Sequence, residues 1–480
     1  MRRSVAVLVA AVPVFAVLVG VTGLAQAPKA GAPRAATPKA AAPAASEQPV
    51  TPPESRYWMG VTTGGGLMAM SGMASGGRPS MGSLMKMAMS GPPSASQTIE
   101  LRLGTSLAPT GEPEAFHTFP TGAQVNQPIY LETPQPGKGE VGVPTGYKEP
   151  KGQISFYWGC GEKAGPGQPV VLTFDRLMRG ENDPELQALQ ASVGARGVRT
   201  PQVSNSKTYG DWPHGDRRKK NRDLEATFPL GASLAGPHVI EGTYTTKVDF
   251  TLPDDKTFMA PVTYTSTTVQ PSGAIALRWT APPRATGYSV GVMAPEKVDD
   301  ESANIVMWSS AERPATFVQM EHLTPAEVKR LIELKAVLPP TTTDCAVPAE
   351  VITATKNGSM LMFTAFGDEA TFIHPARPAD PKVTWDQEWF ARVSYKSVRL
   401  DMISPEGVMD MTAMSGGSGS KPDPKLSDEE YCAQLAEQQR NKPSVADAIP
   451  GGRLLGRFGR KKQEAPPPDD PRCANLSKKK

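Results

Sequence analysis

The chain has only four cysteines in 480 residues, Cys160, Cys345, Cys432 and Cys473, and no two of them form a C-x-x-C pair. Zinc ribbons and thioredoxin-like redox sites need that spacing, so neither is supported. The five histidines, His117, His214, His238, His322 and His374, are equally scattered. Glu321 precedes His322, but no second histidine completes the H-E-x-x-H of a zinc protease. No phosphate-cradling P-loop is present. No G-x-S-x-G nucleophile elbow is expected either, so a hydrolase of that type has no nucleophile signature. Charge is nearly balanced: 51 Lys and Arg against 48 Asp and Glu leave a net +3. No global field therefore draws the chain to nucleic acid. Aromatics make up only 6% of the residues.

Turn-formers are abundant. There are 49 prolines and 45 glycines, together about a fifth of the chain. That load is too high for a mostly helical protein and fits many short strands, turns and unstructured segments.

Residues 1–25 read as an export signal, with Arg2 and Arg3 ahead of an apolar run and small residues at Gly23-Leu24-Ala25. The alternative is an uncleaved anchor, since about 20 apolar residues span a bilayer. Either way, the expected location is the periplasm, the exterior or the outer side of an inner membrane. In an oxidising compartment four cysteines permit two disulfides, and the sequence leaves the pairing open. Cys432 with Cys473 is the preferred candidate pair, both lying in the tail. Residues 26–55 are rich in Pro and Ala and cannot bury enough apolar surface to fold.

Period-2 patterning then dominates. Residues 56–63 and 98–103 alternate, with a Gly/Ser/Met-rich insertion at 64–93 expected to loop between them. Strands are also expected at 129–132, 153–159, 169–174, 304–309, 350–355, 360–366 and 389–403. Two alternating runs, 238–252 and 257–270, flank Pro253-Asp254-Asp255-Lys256 and suggest a hairpin there. One helix is expected over 324–338. Thr324 is placed to cap it, Pro325 to occupy its first position, and Val328, Leu331, Leu334 and Leu338 to form its apolar stripe. These elements predict two antiparallel β-sandwich-like domains in tandem, 56–270 and 271–403. A flexible tail, 404–480, follows, with a short helix at 427–440.

Residues 272–296 carry the clearest strand–turn–strand signal. Ile275, Leu277 and Trp279 alternate, Pro282, Pro283 and Gly287 interrupt, and Tyr288, Val290 and Val292 alternate again. Leu277-x-Trp279 with Pro282, Gly287-Tyr288 and Val290 resembles the second and third strands of a fibronectin type III module. That resemblance covers about 20 residues and implies a sandwich in which Trp and Tyr pack between sheets. The later helix departs from the fibronectin pattern. The chain as a whole resembles uncharacterised envelope proteins of Gram-negative bacteria, which implies no activity.

Three candidate sites stand out. Met68-x-Met70-x-x-Met73 recurs as Met409-x-Met411-x-x-Met414. Thioether sulfur is a soft ligand suited to Cu(I), although methionine also fills loosely packed loops without binding anything. Trp158, Trp212, Trp385 and Trp389, if exposed, would suit the stacking of sugars in a carbohydrate-active hydrolase. A basic stretch at 450–462, with Leu454, Leu455 and Phe458 interleaved, suits a membrane surface or an acidic polymer. The leading expectation is an exported, non-enzymatic envelope protein that contacts another envelope protein or a surface polymer.

Overall fold

The computed structural model describes residues 48–70, 94–133, 151–174, 176, 196–201, 208–212, 227–298, 302–314, 321–354 and 359–409. The expected export signal, the spacer up to residue 47, most of the Met-rich insertion and the tail from 410 lie outside these residues.

The described chain is mainly β. Its largest element is an eleven-stranded sheet. In spatial order this sheet runs β7 (Val170–Thr173), β6 (Lys151–Trp158), β15 (Ser302–Ser309), β14 (Gly287–Val298), β17 (Ser359–His374), β19 (Trp389–Ser404), β2 (Ser55–Gly66), β3 (Ser96–Thr105) and β8 (Thr208–Trp212). Two short strands complete it: β9 (Thr227–Phe228) on β3 and β20 (Gly407–Met409) on β19. The pairs β6–β15 and β19–β2 are parallel and the others antiparallel, a departure from the all-antiparallel expectation. The sheet draws strands from both sides of residue 270, so residues 56–270 and 271–403 contribute to one continuous layer.

Two smaller sheets pack on one face of this layer. The first is β11 (Val248–Leu252), β10 (Gly236–Gly242), β4 (Ala115–Thr118) and β5 (Ile129–Leu131). Its Ile129, Ile240 and Phe250 share a core with Tyr57, Met59, Leu101, Val393 and Tyr395 of the large sheet. The second is β12 (Thr263–Val269), β13 (Ile275–Thr280) and β16 (Asp344–Val347). Its Ile275, Leu277 and Trp279 share a second core with Tyr288, Val290, Trp308 and Phe363. Strict alternation makes this possible, because period 2 sends every second side chain to one face. The burial of β13 alternates in step, with Ile275, Leu277 and Trp279 inside. A two-stranded pair, β1 (Val50–Thr51) with β18 (Trp385–Asp386), lies apart from these sheets.

Strands β17 and β19 are 16 residues each and carry both cores. Leu361, Phe363 and Ala365 serve the second core, and Ala370 and Phe372 pack on the first. A register shift between Phe366 and Glu369 separates the two halves. Asp368 sits in that shift and pairs with Lys256 and, at 3.2 Å, with Arg284. The Arg284 guanidinium lies 4.6 Å over the Tyr395 ring and donates at 2.5 Å to the Thr257 carbonyl. Mixed-charge groups thus fill the seam where apolar packing pauses.

Several expectations change. The 253–256 turn joins β11 to β12, which lie in different sheets, so it is not a hairpin. The hairpin is β10–β11, turning at residues 243–247, where no Gly or Pro marked it. Residues 64–66 are not loop but the end of β2, paired with Val398, Arg399 and Leu400. The strand expected at 350–355 is not there: residues 350–354 belong to helix α2 (Ala349–Ala354). A six-residue apolar run cannot be told from a helix by periodicity. Helix α1 is Pro325–Glu333, shorter than expected. Thr324 caps it by accepting from the Glu327 N–H at 3.2 Å. It ends because Lys335 turns left-handed, at φ 60°, and Leu338 then pairs with Tyr288. Helix α1 packs Val328 and Leu331 against Phe366, on the face of the large sheet opposite the two small sheets.

Candidate functional site

The helix-bearing face of the large sheet gathers charged and aromatic groups where β19, β2 and β3 meet. Strand parity places Lys396, Ser394, Trp58, Thr62, Glu100 and Arg102 on this face, because their neighbours Val393, Tyr395, Tyr57, Met59, Leu101 and Leu103 fill the core beneath. His322 is laid over them by the segment leading into α1. Its ring meets Trp58 edge to face at 5.3 Å, and its Nε2–H donates to the Val61 carbonyl at 3.3 Å. The Trp58 indole donates to Ser394 Oγ at 3.2 Å, and the Arg102 guanidinium lies 5.6 Å over the indole ring. Gly60 makes room for this stack. A Cβ there would collide with the Trp58 ring and come within 2.9 Å of His322 Cε1.

Lys396 is 8% exposed. Burial pulls its pKa down to about 8, opposed by the carboxylates of Glu100 and Glu321. Burial also holds His322 well below the ordinary imidazole range, and Lys396 reinforces the shift. An amine with a lowered pKa is the usual starting point for nucleophilic lysine chemistry. Here the amine is sealed under side chains and flanked by carboxylates. The arrangement is a buried charge network whose first consequence is for stability.

A second network lies inside the larger core. Tyr57 OH is 2.7 Å from His117 Nδ1, His117 Nε2 is 2.9 Å from His238 Nδ1, and His238 Nε2 is 2.7 Å from the Leu234 carbonyl. The directions follow from the last link. A carbonyl only accepts, so His238 Nε2 carries a proton and its Nδ1 accepts from His117 Nε2–H. His117 Nδ1 then accepts from the tyrosine hydroxyl. Both rings are neutral in this scheme. Burial supports that state: it holds His117 well below the usual range and His238 at about 4. Tyr57 is raised by the same cause. No local pattern signals this pairing, because the two histidines lie 121 residues apart.

The candidate residues named from the sequence fare differently. Met68 lies in a 3-10 turn, Leu67–Met70, directly after β2, and Ser96 Oγ donates to its carbonyl at 2.8 Å. Met409 ends β20 and is 45% exposed. Register brings the two segments to the same stretch of β19: Gly66 lies opposite Leu400 and Met409 opposite Met402. Met73, Met411 and Met414 lie outside the described residues, as do Cys432 and Cys473. The disulfide that is described joins Cys160 to Cys345, with Cα atoms 5.0 Å apart, and ties the end of β6 to β16. The four tryptophans are not an exposed set. Trp212 and Trp389 are buried, Trp389 stacking on His374 at 5.5 Å, while Trp158 and Trp385 are half-buried on separate strands.

Gly287-Tyr288-Ser289-Val290-Gly291 does match the letters G-x-S-x-G. A nucleophile elbow exposes its serine on a turn between strand and helix. Ser289 instead sits mid-strand in β14, opposite Thr364 and 4% exposed. Among the described residues, no three His, Cys, Asp or Glu side chains are grouped so as to hold a metal ion, and no helix is long and apolar enough to cross a membrane. No protein-family model, curated protein or solved structure matches this chain.

Proposed function

We propose that this chain is an exported β protein of the cell envelope with a structural or interaction role. In this reading its body is two sandwich-like units, in the manner of immunoglobulin or fibronectin type III modules, fused through a shared sheet. The observation that carries the reading is the Cys160–Cys345 bond, which links two layers of the fold across 185 residues of sequence. Such bonds form and persist in oxidising compartments. This agrees with the basic start and apolar run of residues 1–25. The basic and apolar stretch 450–462 would face a membrane surface or an acidic surface polymer. Fractionation of cells expressing the tagged full chain, with non-reducing peptide mapping, tests the reading. Recovery in the periplasm or medium with a 160–345 linked peptide supports it. A cytosolic protein with four free thiols overturns it.

Burial of Trp212 and Trp389 counts against the carbohydrate-active alternative, since it removes two of its four stacking platforms.

A further inference from the structure

Five methionines line up across five adjacent strands of the large sheet. Met307 on β15 lies opposite Met293 on β14, Met293 opposite Met360 on β17, Met360 opposite Met402 on β19, and Met402 opposite Met409 on β20. Directly opposed residues point to the same face, with Cβ atoms about 5 Å apart. Their neighbours show which face. Val306, Val292, Leu361 and Ile403 all enter the core under the three-stranded sheet, and Val408 packs against it. The methionine row therefore lies on the opposite, helix-bearing face. It grades from buried to open: Met307 is 8% exposed, Met293, Met360 and Met402 are half-buried, and Met409 is 45% exposed. Met362, two residues from Met360 on the same strand, adds a sixth thioether to this face.

We infer that Met360, Met402 and Met409 form a binding site for a soft monovalent cation, Cu(I) or its surrogate Ag(I). Three neutral thioethers on neighbouring strands supply a soft ligand set with no charge of its own. That set selects against Zn(II) and other harder divalent ions. The methionine side chain has three rotatable bonds, so the outer sulfurs of Met360 and Met409, rooted about 10 Å apart on either side of Met402, can swing inward to meet its sulfur on one ion. Met409 opens the row to solvent and provides the entry. The site differs from the repeated Met-x-Met-x-x-Met motifs, with which it shares only Met409. It does not depend on where in the cell the chain resides.

Thioethers bind no proton in the physiological range. Histidine and cysteine sites must lose protons to bind metal, so their affinity falls on acidification. Uptake at this row is therefore indifferent to pH between 5.5 and 7.5.

The test titrates the purified full chain with Cu(I) under anaerobic conditions against a chromogenic Cu(I) chelator. The expected result is one Cu(I) per chain, with affinity about tenfold or more lower in the M360L/M402L/M409L variant. Leucine keeps the volume close to that of methionine, and near-ultraviolet circular dichroism checks that the fold is retained. A second variant carries leucine at Met68, Met70, Met73, Met411 and Met414, and it is expected to bind like the parent chain. With methyl-¹³C methionine, Ag(I) shifts the Met402 resonance in the unaltered chain, a readout that needs no folded variant. The inference is overturned if the row variant takes up as much Cu(I) as the parent, if only the second variant loses uptake, if uptake collapses at pH 5.5, or if the Met402 resonance does not move.

Discussion

Tyr57 and His117, sixty residues apart in sequence, meet at 2.7 Å inside the larger core and start a hydrogen-bonded chain through His238 to the Leu234 carbonyl. Every donor in that chain has an acceptor only while both imidazoles are neutral. In the unfolded chain each histidine takes up a proton near pH 6.5. In the fold, His238 does so at about 4, and burial, reinforced by His238, holds His117 well below its ordinary range. Between pH 6.5 and 4 the unfolded chain therefore holds more protons, so stability falls as the pH falls. Each such histidine contributes a slope of about 1.4 kcal/mol per pH unit. Buried His322 has a lowered pKa too and adds to the slope. Urea unfolding at pH 7.0 and 5.5 checks this, and a flat profile would refute the neutral chain. Tyr57→Phe leaves His117 Nδ1 buried without its donor and is expected to cost about 1–3 kcal/mol at pH 7.

How far could these features be read from the residues alone? Alternation located most of the long strands, because an apolar face must be covered whatever covers it. It did not say which strand lies beside which. The runs 238–252 and 257–270 looked like hairpin partners, yet the strands they contain on either side of the turn, β11 and β12, sit in different sheets. The methionine row needs the register of five strands, and only Met409 of its members belongs to a sequence repeat. Lys396 falls on the polar parity of β19, where solvent exposure is the natural expectation. It is buried because the chain around His322 returns over that face, a tertiary event with no local signature.

Lys396 yields the second prediction. Its pKa, lowered to about 8 chiefly by burial, means that the fold disfavours its charged form relative to water. Between about pH 8 and 10 the unfolded chain retains the extra proton, so stability rises with pH through that window and is lowest below it. Lys396→Met removes the buried charge and keeps the unbranched stem. It is expected to stabilise the protein by about 1–3 kcal/mol at pH 7, and to flatten the rise between pH 8 and 9.5. Thermal or urea unfolding of the two proteins across that range measures both effects. A destabilised variant would mean that the amine's attraction to Glu100 and Glu321 outweighs its desolvation.

The Cys160–Cys345 bond closes a loop of 185 residues. On the chain-entropy account, a loop of that length stabilises by up to about 5 kcal/mol, and strain or residual unfolded structure usually lowers the figure. The C160S/C345S variant, or reduction of the parent chain, is expected to lower unfolding stability by about 3–5 kcal/mol while leaving the β-type circular dichroism in place. A loss below about 1 kcal/mol would show that the unfolded chain is already confined by other means.

Gly60 offers the sharpest steric test. It lies in β2 opposite Ser394 and Glu100, with the Trp58 ring folded back over its Cα and the His322 ring edge-on beside it. Alanine would place a methyl group against the indole, 2.7 Å from Trp58 Cζ2 and 2.9 Å from His322 Cε1. The backbone itself is ordinary extended strand, so any cost comes from the rings having to move. Moving Trp58 breaks its bond to Ser394 and its stacking under Arg102. Displacing His322 opens the cover over Lys396. Gly60→Ala is therefore expected to destabilise by about 2–3 kcal/mol, near the top of the range for overpacking. Exposure of Lys396 would then return its titration toward the ordinary lysine range. If the steric account holds, Trp58→Leu in the same chain relieves most of the clash, so the double variant costs less than the sum of the two single changes. Strict additivity would place the strain elsewhere and leave the glycine unexplained.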